Sequence, residues 1–130
     1  MRNTVNKNMT LSGLQLSALL KMGLAMVHAD GKVTDEETKA LSMELLKFGV
    51  APNELPHLLS NATSMSAEHS LIIVAGLDAE QKKYATGYLA MLMACDGIDD
   101  SEIKLWRMIS TLCGFPTMTI EEAINFWENN

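Results

Sequence analysis

The sequence predicts one all-α domain of about seven helices, arranged as two helical hairpins around two central apolar helices. Three observations predict it. Apolar residues recur at helical spacing in successive segments of the chain. β-branched runs are scarce, and the one that invites a strand, Leu71-Ile72-Ile73-Val74, stands too isolated to build a sheet, so it reads as buried helix. The stretches Leu14 to Ala29 and Leu89 to Cys95 are apolar on nearly every face, which sets both helices at the centre. At 130 residues, 48% apolar and 20% charged, the chain buries enough surface to fold as one domain without a metal or disulfide.

Residues 1–9 are polar and are expected to be a flexible tail, with the domain spanning 10–130. A first helix is expected from about Leu11 to Ala29 with Thr10 as its cap, and Ser17, Lys21 and His28 as its one wet stripe. A second starts after Thr34, carries Leu41, Leu45 and Phe48 inward and stops at Gly49. Prolines stand only at 52, 56 and 116, near segment ends. A short helix is expected around Asn53 to Leu59, another over Ala67 to Ala75, and a long one from a cap at Asp78 to Cys95. The sixth follows Asp99, turns Ile103, Trp106, Ile109 and Cys113 inward and stops at Gly114. Thr119 and Glu122 form a capping box for the last helix, which turns Ile120, Ile124 and Trp127 inward.

A repeat runs through this order. The first helix ends His28-Ala29-Asp30-Gly31 and the fifth ends Ala94-Cys95-Asp96-Gly97. Each Asp-Gly is followed by an aliphatic residue (Val33 or Ile98), a capping residue (Thr34 or Asp99) and a glutamate three positions on (Glu37 or Glu102). The second turn is one residue shorter. Asp30, Asp35, Glu36 and Glu37 face a single Lys32 in the first turn; Asp96, Asp99, Asp100 and Glu102 fill the second. The two turns hold more negative charge than the net −6 of the whole chain.

Two readings of these acids stay open. Helix geometry accounts for most of them: glycines end helices, Thr34 to Glu37 and Asp99 to Glu102 are capping boxes, and acids in a first turn suit the macrodipole. The alternative is a divalent cation held by several carboxylates. An EF-hand is excluded, because Asp30 and Glu37 would take positions 5 and 12 while Met26 and His28 take positions 1 and 3. A site would have to draw carboxylates from both turns at once.

The paired D-G-x-(I/V)-x-x-x-E-like turns, each between a buried helix and an amphipathic one, resemble the tellurite-resistance TerB-like family. Ala25–Gly49 and Ala90–Gly114 correspond to its two motifs, and the resemblance covers nearly the whole chain. It implies an all-helical fold with two central hydrophobic helices, acidic motif residues that bind a metal ion, and a role in tellurite and other stress responses. Carried over by position, the metal candidates are Asp30, Glu37, Asp96 and Glu102, with Asp99 and Asp100 nearby as alternatives.

Other functions are less well marked. Ten Lys and Arg against 16 acids exclude a basic face for nucleic acid. The start has no uninterrupted apolar core for a signal peptide, and no apolar run approaches the ~20 residues that span a bilayer, so a cytoplasmic protein with reduced Cys95 and Cys113 is expected. There is no HExxH, Gly-rich phosphate loop or nucleophile elbow, and His28, His57 and His69 are scattered, so a non-catalytic module is expected. The rival to cation binding is a metal-free interaction domain whose acidic end or Met-rich surface meets a protein partner. Met22, Met26, Met91 and Met93 serve it only if exposed as one patch; buried, they are core filler. Trp106 and Trp127 are expected in the core, with Trp127 the candidate for a homo-oligomer interface.

Overall fold

A computed structural model describes residues 11–27, 43–48, 50–95 and 100–129. Helix α1 (Gly13–Val27) is capped by Ser12 rather than Thr10. The Gln15 N–H donates to Ser12 Oγ (3.1 Å) and the Ser12 N–H to Gln15 Oε1 (2.9 Å), a reciprocal box that satisfies two otherwise orphaned donors. Leu11 before the cap and Leu16 at the fourth helical position are both buried, as in a hydrophobic staple. Met43 and Glu44 are helical and tighten into a 3-10 turn over Leu45–Phe48; a second such turn, Pro52–Glu54, leads into α2 (Leu55–Ser64). This helix outruns its expected end at Leu59 by more than a turn. The chain then forms α3 (Ala67–Ala75), α4 (Ala79–Cys95), α5 (Asp100–Cys113) and α6 (Ile120–Asn129). Among the described residues there is no strand, and Leu71 to Val74 lies in α3. None of these helices is long and apolar enough to cross a membrane.

The stops are chemical. Gly114 adopts φ +68°, and the Phe115 N–H donates to Ser110 O (2.9 Å) while the Gly114 N–H reaches Thr111 O (3.4 Å), a Schellman motif that closes α5. Asp78 and Gln81 form a reciprocal box on α4, and Thr119 and Glu122 do the same on α6. Ser66 Oγ accepts from the His69 N–H to start α3.

Helices α1 and α4 are the two central elements. α1 packs against α2, α3, α4 and α5, and α4 against α1, α5 and most extensively α6. Residues 84–90 of α4 are buried without a break, including Thr86, whose hydroxyl donates to Lys82 O (2.7 Å). Met91 is half-buried and Ala94 exposed, so the end of α4 keeps a narrow open edge. Met22, Met26 and Met93 are core residues. The expected wet stripe of α1 is not where spacing set it: Ser17 is fully buried and Lys21 half-buried, while Leu14 and Ala25 are exposed. Serine is small enough to sit where helices approach closely, so its polarity does not force it outward. His28 lies outside the described residues; His57 and His69 are exposed.

Helices α4 and α6 cross with their backbones close together at Gly87. A Cβ on Gly87 would stand 2.9 Å from Trp127 Cβ and 3.0 Å from Ala123 O. Trp127 then lays its ring among Phe48 (5.3 Å between centroids) and Tyr88 (5.7 Å), and Phe48 meets Tyr88 edge-on (6.2 Å). Its Nε1–H donates to Glu44 Oε1 (2.8 Å), tying residues 83 positions apart. Tyr84 and Phe126 form a second edge-on pair at 4.8 Å. Burial, and then the charge of Glu44, push the Tyr88 phenol well above its ordinary pKa. Burial likewise raises the Cys113 thiol, a free cysteine, against a smaller opposing pull from Lys82.

Two outcomes are expected. Gly87→Ala forces α4 and α6 apart and costs about 1–3 kcal/mol in urea unfolding. The raised Tyr88 pKa means that the folded state holds its proton longer than the unfolded state. Stability is therefore full below the unfolded phenol pKa of about 10 and falls as pH rises beyond it. Melting temperatures from pH 8 to 11 are expected to fall more steeply for the wild type than for Tyr88→Phe.

Candidate functional site at the second acidic turn

Of the six candidate metal ligands, Asp30, Glu37, Asp96 and Asp99 lie outside the described residues, as do Gly31 and Gly97. Asp100 and Glu102 open α5. Asp100 is exposed, where an acid at a helix N-terminus answers the macrodipole from water. Glu102, two residues on, is 0% exposed.

That burial sets Glu102 apart from the other residues at its helical position. Gln15, Glu54, Gln81 and Glu122 each return a side-chain oxygen to the backbone N–H three residues earlier, and all four bonds lie open to solvent. A capping box works in water and does not require burial. The origin of the difference is the stripe on which Glu102 falls. Glu102, Trp106, Ile109 and Cys113 are the buried face of α5, at i, i+4, i+7 and i+11. By apolar spacing Ile103 is the more obvious inward residue; it is half-buried. A buried carboxylate has to be compensated by hydrogen-bond donors or by a cation. Among the described residues no three His, Cys, Asp or Glu side chains gather closely enough to hold a metal, so a cation at Glu102 needs ligands from the turns themselves.

Further along α5 lies an open cleft of about 650 Å³ that no motif in the sequence marks. It is bounded by the outer half of α5 and the non-helical segment from Phe115 to Thr119. Trp106 Nε1 and Ser110 Oγ, one turn apart on its α5 wall, are buried and have no hydrogen-bond partner. A smaller apolar cleft of about 150 Å³ opens between α1, α3 and α5, lined in part by Ala25, Leu71, Met108 and Leu112.

No family model matches the sequence, and no curated protein does. Among solved structures, the crystal structure of a protein of unknown function from Porphyromonas gingivalis W83 matches with a TM-score of 0.84 and 44% sequence identity, covering 99% of this chain and 98% of that one. At that identity, over almost the full length of both, the chain belongs to the same family as the Porphyromonas gingivalis protein.

Proposed function

We propose that this chain is a non-catalytic helical module whose two acidic turns bind a divalent cation, with Asp30, Glu37, Asp96 and Glu102 as ligands and Asp99 and Asp100 at hand. The observation that carries the reading is the complete burial of Glu102 in the first turn of α5. Capping and dipole are served elsewhere by exposed side chains, and a carboxylate held out of water beside an acidic turn attracts a hard cation more strongly than an exposed one does. The duplicated turn and its TerB-like form point the same way and connect the module to stress response in the cytoplasm, acting through a protein partner that reads the loaded or empty state.

The competing reading is a metal-free interaction module. In its favour, Met108 and Leu112 are 53% and 59% exposed although they border the smaller apolar cleft. The ion titration separates the two.

Carboxylates around one ion offset their mutual repulsion only while the ion is bound, so the cation stabilises the fold by mass action. With calcium, magnesium or manganese at a hundredfold excess over Kd, about 2.7 kcal/mol of stabilisation is expected, read as a melting temperature that climbs with the logarithm of ion concentration. The double variant Asp30→Asn, Asp96→Asn is expected to fold and to lose that climb. Equal melting temperatures in millimolar ion and in chelator would sink the cation reading and leave the interaction module. Independently of any ion, Glu102→Ala is expected to cost about 1–3 kcal/mol, because it removes a buried, compensated group. Glu122→Ala, which removes an exposed capping oxygen, is expected to cost less than about 1 kcal/mol in the same urea unfolding series.

A further inference from the structure

We propose that the cleft between α5 and the Phe115–Thr119 segment binds a small organic carboxylate, a monoanion on an apolar body. The site lies on a different stretch of α5 from the acidic turn and does not depend on the cation reading. Its volume of about 650 Å³ falls in the range of small-molecule sites.

The lining specifies the ligand. Trp106, Phe115, Pro116, Met118 and Ile120 give it apolar walls. Among the described residues that line it Arg107 alone is charged, and its guanidinium makes no ion pair with any of the others described. The one charge among the described lining residues is thus positive, on a chain of net charge −6, which marks the cleft as a local anion site. Two further groups ask for an acceptor. The Trp106 indole Nε1–H can only donate, and the Ser110 hydroxyl donates by rotation; both are buried in the α5 wall with no partner. Their i, i+4 spacing lets one pair of oxygens address both, while the planar fork of Arg107 faces a carboxylate from the rim. An orphaned buried donor is costly until an acceptor reaches it, so binding here recovers what folding leaves unsatisfied.

A carboxylate matches better than a phosphate ester. One guanidinium neutralises one charge; a dianion would keep an unpaired charge beside apolar walls. The segment is anchored at Phe115 by the Schellman bond and at Thr119 by the capping box, while residues 116–118 between them make no backbone hydrogen bond to the described residues, so that stretch can yield to let the ligand reach the two buried donors.

The Trp106 indole N–H resonance reports the site directly. The full chain, labelled with nitrogen-15, is titrated with hexanoate, phenylacetate and 3-phenylpropionate, and with the matching primary amides and inorganic phosphate. Trp106→Phe assigns the resonance. At least one carboxylate is expected to move the Trp106 signal saturably, with the Trp127 signal unmoved because its N–H is held by Glu44. The matching amide is expected to bind about tenfold more weakly or worse, and Arg107→Gln, an exposed position, to weaken the carboxylate about tenfold. Ser110→Ala is expected to weaken it several-fold without unfolding the chain. If no carboxylate moves the signal by about 10 mM, a concentration that excludes even millimolar affinity, the proposal is wrong. It is equally wrong if the amides or phosphate bind as well as the acids, or if Arg107→Gln leaves the affinity unchanged. In any of these cases Trp106 and Ser110 are satisfied by water alone.

Discussion

The close crossing of α4 and α6 at Gly87 governs much of what surrounds it. With no Cβ in the way, Trp127 brings its own Cβ to the surface of α4, and the ring has to lie over what comes next in that helix, Tyr88. A buried indole needs an acceptor, and Glu44 provides it from the helical residues just before the Leu45–Phe48 turn. Phe48 completes the cluster from that turn. One small residue thus decides where the end of the Met43–Phe48 segment docks. It also explains why Tyr88, caught between burial and the Glu44 carboxylate, is so reluctant to ionise. Met26 near the end of α1 and Phe48 in this cluster, described residues on either side of the first acidic turn in the chain, are both buried.

On the other side of α4, the C-terminal end of α5 is held by a second set of contacts. The Schellman turn at Gly114 satisfies its last carbonyls. Lys82 of α4 brings its Nζ within 3.3 Å of where a Gly114 Cβ would stand, a cation beside the negative end of the helix dipole. Cys113 Sγ lies 3.8 Å from Leu71 O, so α3 is joined there too. The α5 helix is therefore fixed at its C-terminus by ordinary packing and backbone chemistry, and what varies along it toward the N-terminus is which polar groups share its buried face.

Much of the fold was legible in the residues. The all-α class, the limits of α3 and α4, the cap at Asp78, the box at Thr119 and the stop at Gly114 follow from periodicity and caps, which are local signals. What escaped reading depended on neighbours. Ser12 takes the cap in place of Thr10 because Gln15, three positions later, closes the box, whereas position 13 after Thr10 is glycine and returns no oxygen. Ser17 is buried because α1 is wrapped on more sides than its polar spacing implied. Glu44 gave no sign of its partner, since an indole 83 residues away is invisible to any local pattern. The candidate site was legible only in part. Spacing could nominate the acids, but the environment that separates a cap from a ligand belongs to tertiary structure, and Glu102 is the one nominated ligand whose burial the described residues reveal.

The contrast between Asp100 and Glu102 narrows what the second turn is for. Both acids stand in the first turn of α5, so the macrodipole acts on both with the same sign. If that attraction were the whole reason for the acids, both would do best in water, where a carboxylate keeps its hydration and still feels the helix end. Asp100 does so. Glu102 instead takes a place in line with Trp106 and Ile109, where leucine or isoleucine would fill the space at no desolvation cost. A charged side chain at an apolar position makes the fold less stable than a hydrophobic one of similar volume, unless its charge is used. Glu102 is not without a partner there, so its place on this face is set by what its carboxylate engages and not by the macrodipole alone.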